Sequence, residues 1–198
     1  MLLAVMGRGD DAAKEIERAL RLDPVSTALR GDAAWMFYLG RRYELVVDQG
    51  KKAIELNPDY WVAYTMLGLG YEKMGKYDDA RMALLKARSL DDNPAILEML
   101  GGLYATMGKV SEARAVLTEL DEQSKRRYVC PYEVATIHAG LGDRASTLKW
   151  LEQGRRDRAD CIPWVAVDPK LDLLHGDREF QELLRRAGIQ RPLETGTR

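Results

Sequence analysis

Two residues in one short stretch have side chains that could support covalent chemistry. Cys130 and His138 are eight residues apart, about two turns of a helix, so both could lie on one helix face. A thiol beside an imidazole can act as an activated nucleophile. His138, however, occupies the place that Tyr71 and Tyr104 hold in neighbouring copies of a sequence pattern, which is a packing position. We therefore predict that the chain is not an enzyme and has no catalytic residue.

The other candidate ligands do not form a metal or cofactor site. The chain has 2 cysteines and 2 histidines without the spacing of a zinc site, and it lacks a phosphate-binding glycine loop. We expect no metal and no cofactor. Cys130 and Cys161 are too few for a disulfide framework, so reduced thiols are the default expectation, but the sequence leaves a single bridge between them open.

Regularly spaced glycines indicate which elements position these groups. Gly7, Gly40, Gly75, Gly108 and Gly142 are separated by 33, 35, 33 and 34 residues. A period of this length is typical of stacked helix pairs, because each pair leaves an apolar face that its neighbours cover. The pattern predicts an elongated helical stack whose function lies on exposed surface.

The two clearest copies of the repeat place large and small residues in the same order along each helix. The first copy has Tyr64, Leu67, Gly68, Tyr71, Tyr77, Ala80, Leu84 and Ala87, and the second has Leu97, Leu100, Gly101, Tyr104, Ala113 and Leu117. This spacing resembles the tetratricopeptide repeat (TPR). The resemblance implies an all-α fold, a right-handed α-α superhelical solenoid in which Gly68 allows two helices to cross closely.

The repeat boundaries follow from this pattern and from proline. Pro24 and Pro58 mark the ends of second helices, and Pro94, displaced by two residues, is interpreted in the same way. The solenoid is predicted to span residues 1–158, with a partial first repeat at 1–24 and repeats at about 27–60, 61–93, 94–127 and 128–158.

A capping segment is predicted after the last repeat, over residues 159–190. Asp177 can cap a helix over 178–187 that carries Phe180, Leu183 and Leu184 on one face. Such a helix would cover the apolar end of the solenoid. The apolar run around Trp164 is expected to pack beneath it, and residues 191–198 are expected to be disordered.

The C-terminal part carries a second resemblance, which covers roughly residues 30–188. Residues 126–131, Trp150, the run 162–169 and the stretch 171–184 are similar to the C-terminal regions of bacterial multidomain regulators. In those proteins a winged-helix DNA-binding domain or a Ser/Thr protein kinase domain precedes the repeats. Family members usually read Asp-Pro-Arg-Phe where this chain has Asp-Arg-Glu-Phe at 177–180. The resemblance suggests that the chain belongs to such a regulator.

Composition excludes several kinds of partner. The 30 Lys and Arg residues balance 31 Asp and Glu residues, which disfavours nucleic acid. No apolar run approaches the ~20 residues that a membrane helix needs, and residues 1–6 do not resemble a secretion signal. We expect a cytoplasmic protein that does not bind membranes.

The TPR resemblance also implies where a partner would bind, because the first helix of each pair lines the concave groove in that family. The groove residues predicted in this way are Trp35, Tyr38, Leu69, Glu72, Lys73, Glu98, Tyr132 and Thr136. We expect them to hold a peptide or a partner protein, and self-association is a further possibility. Simple packing is an equal alternative for Trp35 and Tyr38. A sensory domain that binds a small ligand in the groove is the alternative function.

Overall fold

The computed structural model describes residues 2–6 and 8–189, and all regular structure in those ranges is helical. Gly7 and the predicted tail at 191–198 lie outside the described residues. The helices are α1 (Leu2–Val5), α2 (Gly9–Leu22), α3 (Thr27–Leu39), α4 (Tyr43–Leu56), α5 (Trp61–Lys73), α6 (Tyr77–Leu90), α7 (Pro94–Thr106), α8 (Val110–Ser124), α9 (Pro131–Gly140), α10 (Arg144–Arg156), two 3₁₀ helices (Ile162–Ala166 and Pro169–Leu174) and α11 (Arg178–Arg186).

The helices form a stack of antiparallel pairs. α3 packs on α4, α5 on α6, α7 on α8 and α9 on α10. The first helices α3, α5, α7 and α9 also contact one another in series, so they form a continuous inner layer. This arrangement confirms the predicted α-solenoid, in which each pair buries its apolar face against its neighbours.

The turn within each pair needs one residue in the left-handed region. Gly75, Gly108 and Gly142 fill this position with φ angles of +74°, +72° and +73°. The first turn differs, because Gly40 has φ −81° and Arg41 takes the left-handed conformation at φ 58°. The left-handed positions are therefore spaced by 34, 33 and 34 residues, more evenly than the glycines.

Glycine allows close helix crossings at two positions, one of which, Gly68, was predicted. A Cβ atom added at Gly68 would lie 2.5 Å from Cγ of Leu84, and one at Gly101 would lie 2.6 Å from Cδ1 of Ile137. Both distances are shorter than van der Waals contact. Glycine at these two positions sets how closely α5 approaches α6 and how closely α7 approaches α9.

The interpretation of Pro94 as a helix end is wrong. Pro24 and Pro58 each follow a second helix by two residues, but α6 ends at Leu90 and Pro94 is the first residue of α7. The Asn93 side chain caps that helix by accepting a hydrogen bond from the Ala95 N–H at 3.0 Å. Proline suits this position because its missing N–H would have no helical partner there.

The predicted capping helix is present as α11. The Asp177 side chain accepts hydrogen bonds from the N–H groups of Glu179 and Phe180, at 2.9 and 3.1 Å. Phe180, Leu183 and Leu184 are buried, and α11 packs against α10. An aspartate cap and one apolar face therefore fix the start and the orientation of this helix.

Between α10 and α11 the chain turns back across the inner layer of the solenoid. Residues 162–174, which we call the groove segment, comprise the two 3₁₀ helices. The first of these contacts α1 and α10, and the second contacts α9. Val165, Leu171 and Leu174 of the segment are buried. The solenoid groove is thus covered by a later part of the same chain.

Candidate interaction groove

The eight predicted groove residues all lie on the inner helices α3, α5, α7 and α9, and the structure brings them into one layer. Six of them are buried, namely Tyr38, Leu69, Glu72, Glu98, Tyr132 and Thr136. Trp35 and Lys73 are half-buried. Tyr38, Tyr132 and Glu98 are buried beneath the groove segment, to which each of them is hydrogen-bonded.

Asp168 of the groove segment is held by tyrosines from both ends of the inner layer, α3 and α9. Tyr38 on α3 donates its hydroxyl hydrogen to Oδ1 of Asp168 at 3.3 Å, and Tyr132 on α9 donates to Oδ2. The Lys170 N–H also donates to Oδ1, at 2.7 Å. Burial, reinforced by the Asp168 charge, raises the pKa of both tyrosines well above the ordinary value. Both hydroxyls therefore remain protonated donors at neutral pH.

Lys170 forms the second polar contact of the segment, with Glu98 on α7. Its Nζ lies 2.7 and 2.9 Å from the two carboxylate oxygens, and the two side chains are only 8% and 3% exposed. Thr136 on α9 donates to the same carboxylate at 2.6 Å. Burial alone would lower the pKa of Lys170, but the Glu98 and Asp168 carboxylates raise it above its usual value. The lysine is therefore a buried cation.

Two further carboxyl groups border this pair. Glu72 on α5 accepts a hydrogen bond from Thr106 at 3.2 Å, and burial raises its pKa. Burial and the nearby Glu98 charge raise the pKa of Glu133 to about 7. The inner layer thus concentrates acidic groups around the one lysine that the groove segment supplies to them.

Aromatic and rim contacts complete the attachment of the segment. Trp164 meets Trp35 edge to face, with ring centroids 5.9 Å apart, and Trp35 stacks on Tyr38 at 5.3 Å. At the exposed rim, Arg41 pairs with Asp172 at 2.6 Å. The left-handed backbone at Arg41 places this guanidinium in the turn that faces the segment.

The expectation of reduced cysteines is corrected by the structure, which joins Cys130 and Cys161 in a disulfide with Cα atoms 6.8 Å apart. Cys130 is the N-cap residue of α9 and Cys161 directly precedes the groove segment. His138 lies about 12 Å further along the axis of α9, since each helical residue rises about 1.5 Å. Its Nδ1 lies 3.3 Å from Asp143 instead. The cysteine and the histidine considered as a nucleophile pair are therefore not brought together.

Sequence analysis missed Asp168 and Lys170 as groove residues. Asp168 lies in the run 162–169 that carries the second resemblance, and its side chain is completely buried. The available signal was the charge pattern, since Asp168, Lys170 and Asp172 interrupt a mostly apolar stretch at 162–174. The pattern alone does not reveal which inner residues would pair with them.

Outside the groove, a cleft of about 580 Å³ lies between α10 and α11. Lys149, Glu152, Arg178 and Arg186 are among its lining residues. Residues 2–6 and 8–189 contain no cluster of three or more side chains suited to hold a metal ion. Over the same ranges, no helix is both long and apolar enough to cross a membrane.

The architecture defines a class, the α-solenoids built from helix pairs, and comparison with known families identifies the type of repeat. Residues 1–60 and residues 50–82 each match a family profile described as "Tetratricopeptide repeat". Residues 1–82 therefore carry tetratricopeptide repeats, and the later helix pairs continue the stack. No curated protein matches the chain. Repeats of this type generally mediate protein–protein interaction and generally serve as non-catalytic scaffolds.

Proposed function

We propose that this protein is a non-catalytic scaffold that binds a peptide or a segment of a partner protein in the groove lined by α3, α5, α7 and α9. The observation that carries the proposal is that this groove already holds a chain segment. Residues 162–174 contact the groove with an aromatic ring, a carboxylate and an ammonium group. A peptide ligand could present the same three groups.

The chemistry of the groove supports a peptide ligand over a small molecule. The hydroxyl donors of Tyr38 and Tyr132, the Glu98 carboxylate and the Trp35 ring are distributed over three helices. In this structure they contact three different residues of one continuous segment, Trp164, Asp168 and Lys170, which is how a peptide ligand would occupy them. The cleft of about 580 Å³ lies elsewhere, between α10 and α11. No observation favours the alternative of a small-ligand sensor.

We further propose that the scaffold belongs to a larger bacterial signalling or transcriptional regulator. Support for this step comes from the resemblance of residues 30–188 to such regulators. In that setting the groove would recruit a partner to an attached effector domain. The proposed partner is a protein or peptide, with no role for nucleic acid or membrane in this region.

The proposal is tested by selecting a displayed random-peptide library against the full chain. Binders are then measured against Trp35→Ala and Lys73→Ala, which alter the two half-buried groove residues. We expect at least tenfold weaker binding to one of these variants, with the helical circular dichroism unchanged. Lys86→Ala on the exposed side of α6 is the matched control. Binders that are insensitive to both groove variants would contradict the proposal. Tyr38→Ala is unsuitable because Tyr38 is completely buried.

A further inference from the structure

The groove segment defines a recognition pattern that goes beyond the general proposal of peptide binding, and the inference rests on that proposed function. We propose that residues 162–174 act as an internal competitor, and that the partner presents the same pattern: an aromatic residue, an aspartate four positions later and a lysine two positions after that. In this chain the pattern is Trp164, Asp168 and Lys170.

The acidic position of the pattern is specified by two buried donors. The hydroxyls of Tyr38 and Tyr132 converge on the Asp168 carboxylate from opposite ends of the inner layer. A ligand with an apolar residue at this position would leave both hydroxyls buried and unpaired, which weakens its binding. The groove therefore discriminates against a residue without a hydrogen-bond acceptor at this position.

The basic position is specified by Glu98, whose carboxylate is already oriented by the hydrogen bond from Thr136. Glu98 is 2% exposed, so its charge needs a cation whenever the groove is covered. Glu72 and Glu133 add negative potential on neighbouring helices. A ligand with a second acidic residue in place of the lysine would face repulsion from Glu98, and above about pH 7 also from Glu133.

Covalent attachment makes the segment a competitor. It is joined to α10 by a short turn, in which Arg158 has φ 52°, and Cys161 ties its start to α9. Such a tether presents the segment at an effective concentration in the millimolar range or above. A partner with the same side chains must overcome this internal occupancy, so its apparent affinity is reduced by the fraction of molecules in which the groove is open.

The test uses the full chain and a fluorescent synthetic peptide that reproduces residues 161–177 with serine at Cys161. Its binding is measured by fluorescence anisotropy to the natural chain and to Asp168→Ala/Lys170→Met, in which the internal segment is weakened and the inner helices are unchanged. We expect the peptide to bind the variant at least tenfold more tightly. A control peptide with the same two substitutions should bind at least tenfold more weakly than the matching peptide.

The first variant removes two buried charges and could fail to fold, so a second variant provides an independent measurement. Trp164→Ala alters a half-buried ring of the segment and keeps both charges. We expect it also to increase peptide affinity relative to the natural chain. Equal binding of the peptide to the natural chain and to a folded variant, or no binding to either, would overturn the inference and identify the segment as a permanent part of the core. If selected library peptides still depend on Trp35 in that case, only the inference fails and the proposed function stands.

Discussion

At the scale of single residues, the buried pair of Lys170 and Glu98 is the interaction whose loss should be most costly. Removing the cation leaves a desolvated carboxylate beside Glu72 and Glu133. Breaking a buried ion pair from one side typically costs about 3–5 kcal/mol. We expect Lys170→Met to lower the free energy of unfolding in urea by roughly that amount.

Two comparisons establish whether the ion pair between Lys170 and Glu98 accounts for the loss of stability in Lys170→Met. The exposed Lys149, on α10, provides the control Lys149→Met, which should change stability by less than about 0.5 kcal/mol. Glu98→Gln/Lys170→Met should be less destabilised than the sum of its single variants. Strict additivity in this double-mutant cycle would show that the two side chains do not interact.

The raised pKa of Glu133 predicts that the stability of the fold depends on pH. Its pKa is about 7 in the folded chain and near the usual 4.5 when unfolded, so the folded state binds the extra proton between these values. Stability should therefore fall as pH rises from about 5 to about 8. Glu72, whose pKa is also raised, contributes in the same direction.

Thermal unfolding between pH 5 and pH 8 measures this effect. Glu133→Gln keeps an acceptor for the Cys130 N–H, which now donates to Glu133 at 3.2 Å, and removes the titration. We expect the fall in Tm with pH to be smaller in this variant than in the natural chain. Glu112→Gln, at an exposed position on α8, should leave the fall unchanged. An unaltered pH profile in Glu133→Gln would contradict the assignment.

The residues of the groove could be predicted in part. The TPR resemblance placed Glu98, Tyr132 and Thr136 on the inner helices, and these residues lie on α7 and α9. Their pairing with Asp168 and Lys170 could not be predicted, because charged residues are usually solvated and local spacing contains no information about contacts across 130 residues. The partner-binding role of these residues stays a prediction.

At the scale of elements, close helix crossing depends on glycine at particular positions. Gly68→Ala would place Cβ 2.5 Å from Cγ of the buried Leu84, whereas no atom lies within 4 Å of a Cβ added at Gly102 on α7. We expect Gly68→Ala to destabilise the fold by about 1–3 kcal/mol through overpacking. Gly102→Ala should stabilise it by up to about 1 kcal/mol, because alanine is the better helix former.

Chemical denaturation of the two glycine variants provides the measurement, since both substitutions add the same methyl group to an inner helix. Equal effects from the two variants would show that crossing distance is not the reason for glycine at position 68.

The repeat pattern predicted helix α5 and its glycine well. It did not distinguish the role of Pro94, because proline is compatible both with the end of one helix and with the first position of the next.

At the scale of the whole molecule, the disulfide between Cys130 and Cys161 closes a loop across 31 residues. A crosslink of that span stabilises by about 3–4 kcal/mol, chiefly by limiting the unfolded chain. We expect dithiothreitol to lower the Tm of the natural chain and to have no effect on Cys130→Ser/Cys161→Ser. Free thiols in the natural chain, detected by alkylation and mass spectrometry under non-reducing conditions, would contradict the crosslink.

The hydrogen bonds that Asp168 accepts from Tyr38 and Tyr132 also limit how such a chain can change over evolution. Tandem arrays commonly gain or lose copies, because each unit touches only its neighbours. Here one side chain must reach the first complete pair and the last pair simultaneously. Inserting or deleting a unit would separate those two tyrosines by a different distance, so the number of repeats is fixed by the reach of a single aspartate.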